Sequence, residues 1–286
     1  MVRRHHGVRL GCVLLVLSLA ACGTESPAPR TQVQAGPTVP APVVSSPPAV
    51  QPNAAPAAPK AAAPAPQPLS GKVIVLDPGH NGGSGAHPEV INKLVDAYTM
   101  MKPCNTTGTE TNDGYPEHAF NFDVAKRVQA LLVAAGATVV LTRPDDKGIG
   151  PCITERAAIG NRSKAAAVLS IHADAAAGDQ YGFHVMEPVH LAGAPNSKVV
   201  DVSHRYAVVM RDHLRTVEPP ATYAGHDGIS EHSDMAGLNL SVVPVVMVEC
   251  GNMRNAADAK KMRDAAYRQK LAGALAAGVT AFVTTG

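Results

Sequence analysis

From residue 71 onward, short apolar runs alternate with stretches in which apolar residues recur every three or four positions. The runs are rich in β-branched residues and are stopped by polar or turn-forming residues, which predicts buried strands. The predicted strands lie at 72–77, 138–142, 167–171, 182–187 and 244–248. The three-to-four spacing is the period of one helix face, and it predicts a helix after each of the first, second, fourth and fifth strands.

The predicted helices span 116–135, 154–164, 196–215 and 256–283, the last interrupted at one point at most. Pro116 suits a first helical turn, and Gly136 suits the position just beyond a helix end. Strands that alternate with helices favour an α/β fold, with three α/β/α layers and a mostly parallel central sheet.

The first 22 residues have the pattern of an export signal. Three arginines precede an apolar run at 10–21, which is too short to span a bilayer comfortably. The small residues before Cys22 resemble the lipobox of bacterial lipoproteins, in which the signal is cut before the cysteine and the thiol is acylated. We expect residues 1–22 to be a lipoprotein signal peptide; an ordinary cleaved signal is the alternative.

Residues 23–70 are predicted to form a linker. This stretch holds thirteen of the 24 prolines and only three charged residues. Proline fixes φ and lacks a backbone donor, so a helix or a sheet ladder is disfavoured there. A semi-extended tether would hold a folded domain away from a membrane anchor, although the same composition also suits a passive spacer. The remaining residues, 71–286, form one predicted folded domain.

Composition excludes some functions. Aromatic residues make up 3% of the chain, tryptophan is absent, and the formal net charge is +2. A nucleic-acid partner usually requires a strongly basic surface or an aromatic stacking platform, so none is expected.

Three ionisable residues stand at the ends of predicted strands. His80 follows the first strand, His172 follows the third, and Glu249 ends the last. In open α/β sheets, sites form beyond the carboxyl ends of strands, so the three side chains could meet in one cleft. Two histidines and a carboxylate with an open fourth position are typical of hydrolytic zinc sites. Taken singly, a histidine after a strand is more often a surface or capping residue.

Three motifs together resemble those of a known family. They are 73–82 (VIVLDPGHNG), 169–174 (LSIHAD) and 245–255 (VVMVECGNMRN). In this order they resemble the zinc-dependent N-acetylmuramoyl-L-alanine amidases of bacterial cell walls, and the resemblance is to an actinobacterial lipoprotein member. Arg143 and Arg156 also fall where the family pattern has them. The resemblance spans residues 71–284 and implies the three-layer α/β fold already predicted.

The resemblance implies one Zn²⁺ with three protein ligands and a separate catalytic glutamate. His80 and His172 match the histidine ligands, and Glu249 matches the catalytic residue. The family's glutamate ligand opens the first helix, so Glu117 matches it best. Glu110 and Glu89 are poorer candidates because they lie in the preceding loop.

This chain departs from the family pattern at three points. The gap between His80 and Glu117 is long, Asp174 stands where asparagine is common, and Asn252 stands where phenylalanine is common. None of these changes removes a catalytic group, but the last two affect positions where substrate contacts are expected.

The implied activity is hydrolysis of the amide bond between N-acetylmuramic acid and L-alanine, with Glu249 moving the proton from water to the departing amine. The expected partners are peptidoglycan and muropeptides, and the membrane through a lipid anchor. We expect a monomer, exported and facing the cell wall. A non-catalytic metal- or muropeptide-binding lipoprotein and a zinc peptidase that cuts within the stem peptide are the alternatives.

The cysteines predict one disulfide. Cys12 leaves with the signal and Cys22 is expected to be acylated, so Cys104, Cys152 and Cys250 remain. Export favours oxidation, and the two loop cysteines, Cys104 and Cys152, are the sensible pair. Their bond would hold segment 81–116 as a flap beside the cleft; two free surface thiols are the alternative.

Overall fold

The structure is a computed structural model that describes residues 67–285. The predicted signal peptide, Cys22 and all but the last four residues of the predicted linker lie outside the described residues. Packing begins at Leu69, which is fully buried in the main core two residues before the expected start of the domain.

Eight strands form two sheets within residues 67–285. Six strands make the central sheet in the order β4-β1-β5-β8-β6-β7, and β2 and β3 form a separate antiparallel hairpin. Strands β4, β1, β5 and β8 run parallel to one another, whereas β6 runs antiparallel to β8, and β7 runs parallel to β6. The strands are β1 Val73–Pro78, β2 Leu94–Asp96, β3 Met101–Pro103, β4 Thr138–Leu141, β5 Ala167–Asp174, β6 His184–Pro188, β7 Ile229–His232 and β8 Val245–Asn252.

Helices cover both faces of the sheet, which confirms the three-layer α/β prediction. Helices α2, α4 and α7 cover one face, where Phe120, Tyr206 and Leu271 pack against alternate strand residues such as Leu76. Helices α3 and α5 cover the other face. The helices are α1 Pro88–Ile91, α2 Glu117–Ala134, α3 Ile153–Arg162, α4 Val200–Leu214, α5 Ala236–Asn239, α6 Ala256–Arg263 and α7 Ala265–Thr285.

The predicted elements are present, and the differences lie in where some of them end and in short elements that were not predicted. The C-terminal helix breaks at Asp264, within the one interruption allowed. Strands β5 and β8 continue three to four residues past their predicted ends, because His172 pairs with Glu249 and Asp174 pairs with Asn252 across a bulge. The hairpin β2–β3 and the edge strand β7 were not predicted, since three or four mixed residues carry too little periodicity to indicate a strand.

Segment 81–116 contains the β2–β3 hairpin, which is held by a disulfide at its base and by polar contacts near its turn. Cys104, just after β3, forms a disulfide with Cys152, the residue before α3, with 4.4 Å between their Cα atoms. At the other end the hairpin contacts the segment before and within α5. The Thr99 hydroxyl donates to the Ser233 carbonyl at 2.7 Å, and Lys102 forms an ion pair with Asp234. The segment therefore forms a wall beside the carboxyl edge of the sheet.

Reducing the Cys104–Cys152 bond is expected to lower the melting temperature by about 10 °C. The bond spans 48 residues of sequence, and closing such a loop stabilises the fold by about 4 kcal/mol in the chain-entropy model. Calorimetry with and without reductant measures the shift. The matched control is the Cys104→Ala/Cys152→Ala variant, whose melting temperature should not respond to reductant. Equal melting temperatures for reduced and oxidised wild-type protein would contradict the prediction.

Candidate active site

His80 stands in a tight turn directly after β1, with a positive φ of 60°. A non-glycine residue rarely adopts this left-handed conformation, so neighbouring contacts must hold it. Two buried arginines do so. Arg156 donates to the carbonyl oxygens of Pro78 and His80 at 2.8 and 2.9 Å. Arg143 donates to the Pro78 carbonyl at 2.9 Å and to the His118 carbonyl at 2.7 Å, which ties the turn to the start of α2.

Asp77 anchors Arg156 beneath this turn. Its carboxylate accepts hydrogen bonds from Arg156 at 2.8 Å, from the Thr142 hydroxyl at 2.6 Å and from the Ser170 hydroxyl at 2.8 Å. Burial alone would raise the pKa of Asp77, but the Arg156 charge and these hydrogen bonds hold that pKa at about 2. The ion pair therefore persists at neutral pH, so Arg156 remains in place under the His80 turn.

The imidazole of His80 is oriented by the neighbouring loop. Its Nδ1 lies 3.0 Å from the carbonyl oxygen of Thr106, which can only accept, so Nδ1 carries the proton. The other ring nitrogen, Nε2, lies 3.2 Å from Oε2 of Glu117 and is the nitrogen that faces the proposed metal position. A backbone carbonyl on the far nitrogen is the usual way in which a protein orients a metal-binding histidine.

Glu117 is the first residue of α2 and is only 4% exposed. Its Oε2 accepts from the backbone N–H of Thr109 at 2.9 Å, and its Oε1 accepts from the backbone N–H of Ala173 and from the Asn121 amide, both at 3.2 Å. Burial opposes ionisation, but the facing imidazoles and their hydrogen bonds hold the pKa of Glu117 well below its usual value. The carboxylate is therefore charged and fixed in direction.

His172 lies in β5 and approaches Glu117 from the sheet. Its Nδ1 is 3.1 Å from Oε1 of Glu117, and its ring centroid is 5.0 Å from that of His80. The ring packs directly on Gly79, where a Cβ atom would lie 2.0 Å from the ring. Only glycine fits at position 79 while His172 keeps this position.

The Gly79→Ala variant is expected to lose most of its metal affinity. The new methyl group would occupy the space of the His172 ring and displace it from Glu117. Zinc competition against a chromophoric chelator measures the loss. Gly85→Ala is the matched control, since its nearest contact would be an ordinary 3.7 Å to a Thr107 methyl group. Wild-type affinity in Gly79→Ala would show that His172 has no ligand role.

His80, Glu117 and His172 together form a set of metal donors. One donor atom from each residue lies within 4.8 Å of the others. Two imidazoles and one ionised carboxylate fit Zn²⁺, which binds nitrogen and oxygen ligands and leaves one position open in catalytic sites. The three residues that the sequence matched to the ligands are thus brought together from β1, α2 and β5.

Glu249 lies on β8 directly opposite His172, so both side chains project from the same face of the sheet. Burial, together with the negative charges of Glu117 and Asp174, raises the pKa of Glu249 well above its usual value. A carboxylate with a raised pKa suits a group that must take up and return a proton. Cys250 points to the other face and is fully buried in the main core.

A cavity of about 290 Å³ opens above these groups. His80, His172 and Glu249 contribute to its lining, together with Lys102 from the β2–β3 hairpin and Met235 beside α5. The hairpin and the α5 segment thus form adjoining walls of a pocket that is also lined by His80, His172 and Glu249. A substrate in this cavity would contact both the hairpin and the α5 segment.

The structure places the alternative residues elsewhere. Glu110 is exposed, and Glu89 pairs with His87 on the surface. His118 follows Glu117 but turns away from the imidazoles and pairs with Asp146 at 2.8 Å. The orienting groups around Thr106, Thr109 and Asn121 were missed, because they act through single backbone or amide contacts that leave no sequence pattern.

None of the helices within residues 67–285 is long and apolar enough to cross a membrane.

Comparisons with known proteins agree with this geometry. Residues 74–281 match the family model described as N-acetylmuramoyl-L-alanine amidase. An N-acetylmuramoyl-L-alanine amidase of Mycobacterium tuberculosis is 40% identical over 218 residues, which cover 76% of this chain and 88% of the relative. The crystal structure of the N-acetylmuramyl-L-alanine amidase Ami1 from Mycobacterium smegmatis is 41% identical, with a TM-score of 0.72, over 76% of this chain and 99% of that chain.

Ami1 from Mycobacterium abscessus gives a similar result, with 41% identity and a TM-score of 0.70 over 75% of this chain and 99% of that chain. The family match covers most of the chain, and these relatives are matched over nearly their whole length. The chain is therefore an enzyme that belongs to the N-acetylmuramoyl-L-alanine amidase family.

Proposed function

We propose that this enzyme uses one zinc ion to hydrolyse the amide bond between N-acetylmuramic acid and L-alanine in peptidoglycan, and so releases stem peptides. The observation that carries the proposal is the grouping of His80, Glu117 and His172 as metal donors, with His80, His172 and Glu249 lining one cavity. Family membership supports the identity of the bond. The donor set supports zinc.

His80, Glu117 and His172 would hold the ion. Bound zinc supplies Lewis acidity, which activates water as a nucleophile and polarises a carbonyl oxygen. Glu249 accepts the proton that the attacking water loses as the new C–O bond forms. It then returns a proton to the nitrogen as the C–N bond breaks. The products are the lactyl carboxylate on the sugar and a peptide with a free L-alanine amine.

The arrangement around the metal donors favours repeated turnover. Arg143 and Arg156 fix the His80 turn, and backbone N–H groups fix the Glu117 carboxylate, so the site is organised before substrate arrives. The charged Glu117 also offsets the positive charge of a bound cation. Glu249 is then the group that carries the proton from the attacking water to the departing nitrogen.

Mass spectrometry of digested peptidoglycan tests the proposal. We expect intact stem peptides that begin with L-alanine, together with unsubstituted muramic acid. Activity should disappear on chelation and return with zinc. Fragments cut between amino acids of the stem would identify a peptidase, and binding of muropeptides without any product would identify a non-catalytic protein. Either result would overturn the proposal.

The same proposal includes a lipid anchor at Cys22, which would hold the catalytic domain on the outer side of the membrane. We expect Cys22→Ala to move the protein from the membrane fraction to the soluble fraction, because the acylated thiol would be lost. Cell fractionation with immunoblotting measures this, and Cys12→Ala is the matched control. Wild-type protein that is soluble and unlipidated would identify an ordinary signal peptide instead.

A further inference from the structure

A third residue continues the row formed by His172 and Glu249 across the sheet. His184 lies on β6 directly opposite Glu249, on the side away from His172. Residues paired across neighbouring strands project from the same face, and their Cβ atoms lie about 4.5–5.5 Å apart. His184 is therefore an immediate neighbour of Glu249, although neither composition nor motif had singled it out.

The His184 ring is enclosed. It is only 4% exposed, and the ring of Tyr223 packs edge-on against it, with 6.0 Å between centroids and 83° between planes. Burial lowers the pKa of His184 to about 4 despite the nearby Asp174 carboxylate. The ring is thus neutral at physiological pH, with one nitrogen protonated and one carrying a lone pair.

Three buried polar atoms on these neighbouring side chains have no protein hydrogen-bond partner of good geometry among residues 67–285, although the Asp174 carboxylate lies near the Tyr223 hydroxyl. They are Nδ1 of His184, the hydroxyl oxygen of Tyr223 and Oε2 of Glu249. Buried polar atoms in folded proteins nearly always have a hydrogen-bond partner. A buried water typically makes about three hydrogen bonds to otherwise unpaired groups, which is the number of atoms present.

We propose that His184 is a positioning residue for Glu249 and holds its carboxylate through one ordered water that Tyr223 also binds. The Tyr223 hydroxyl donates to the water. The water donates one hydrogen to Oε2 of Glu249 and the other to the lone pair of Nδ1 of His184. All three buried atoms then have partners, and the tautomer of His184 is fixed with its proton on Nε2.

This role matters because Glu249 must present one oxygen to the attacking water. With Oε2 held, the carboxylate cannot rotate about its last side-chain bond, and the other oxygen keeps its direction towards the cavity. A small misplacement of a proton-transfer group can slow a reaction by about 100-fold. The inference rests on the proposed function, since it assigns His184 to the same hydrolysis.

Substitutions at His184 that differ only in hydrogen bonding test the proposal. His184→Leu fills the space but accepts no hydrogen bond, and we expect it to lower kcat by about 10- to 100-fold. His184→Asn places an acceptor near the position of Nδ1 and should restore kcat to within about threefold of wild type. His184→Gln places its amide near Nε2 and should not. KM and zinc affinity should change less than about twofold in all three.

Tyr223→Phe removes only the hydroxyl and should lower kcat less than His184→Leu does. The double variant should be less impaired than the product of the two single effects, because both residues hold the same water. Tyr206→Phe is the matched control. Its hydroxyl is also buried and unpaired, but its ring stacks on Phe282 between α4 and α7, away from the cavity.

A second readout does not depend on turnover. Nitrogen-15 NMR of the histidine rings should show His184 protonated at Nε2 in the zinc-loaded enzyme, and Glu249→Gln should shift its Nδ1 resonance. Protonation at Nδ1, unchanged kcat in a well-folded His184→Leu, or equal losses in the leucine and asparagine variants would overturn the proposal. If His184→Leu does not fold, the asparagine–glutamine comparison decides in the same way. Failure of wild-type enzyme to release L-alanyl peptides would instead overturn the proposed function.

Discussion

The Glu249→Gln variant is expected to lose about 10²–10⁴-fold in kcat while it keeps its fold and its zinc. Glutamine has nearly the same shape but cannot take a proton from water or return one to the amine. The side chain lies opposite His172 but is not one of the three grouped donors, so removing its charge should leave metal binding intact. Steady-state hydrolysis of a defined muropeptide, with zinc content measured on the same sample, tests both parts.

Glu231→Gln is the matched control for this change. Glu231 is exposed on the edge strand β7, and the same substitution there should leave kcat unchanged. The melting temperature of Glu249→Gln should stay at or above that of wild type, because Oε2 of Glu249 has no protein partner within residues 67–285 to lose. Near-normal turnover in a well-folded Glu249→Gln would eliminate Glu249 as the proton-transfer group.

The Glu117→Ala variant is expected to bind zinc at least about 100-fold more weakly than wild type. Removing a group that only orients a ligand already costs about 10–100-fold, and Glu117 is assigned as a ligand itself. Its carboxylate oxygens lie 3.2 and 3.1 Å from the imidazole nitrogens of His80 and His172, so its loss also removes the negative charge between them. Competition with a chelator of known affinity measures the change, and activity should fall in parallel at limiting zinc.

Two neighbouring residues serve as controls for Glu117. Glu110→Ala removes an exposed carboxylate from the same segment, and His118→Ala removes the imidazole next along the chain, which pairs with Asp146 instead. Both should retain wild-type zinc affinity. Full zinc occupancy in Glu117→Ala, with a loss in either control, would transfer the ligand role to that residue.

Much of the fold followed from the chain's pattern alone. The β-branched runs at residues 73–77 and 167–171 became adjacent parallel strands, because such runs are stable only when both faces are covered by helices. The short β7 and the β2–β3 hairpin could not be predicted in this way. They are stabilised by contacts with distant residues, such as the ion pair between Lys102 and Asp234, rather than by their own periodicity.

The sequence alone determined the family resemblance, the α/β order of elements and the two histidines and Glu249, since each stands in a contiguous motif at a strand's carboxyl end. Only the tertiary structure decided that Glu117, rather than Glu110 or Glu89, meets both imidazoles. Which glutamate reaches the imidazoles depends on the path of the long, turn-rich segment 81–116 before the start of α2. Likewise, pairing of β6 with β8 puts His184 beside Glu249, and strand register depends on side-chain packing and backbone hydrogen bonds between segments 65 residues apart along the chain.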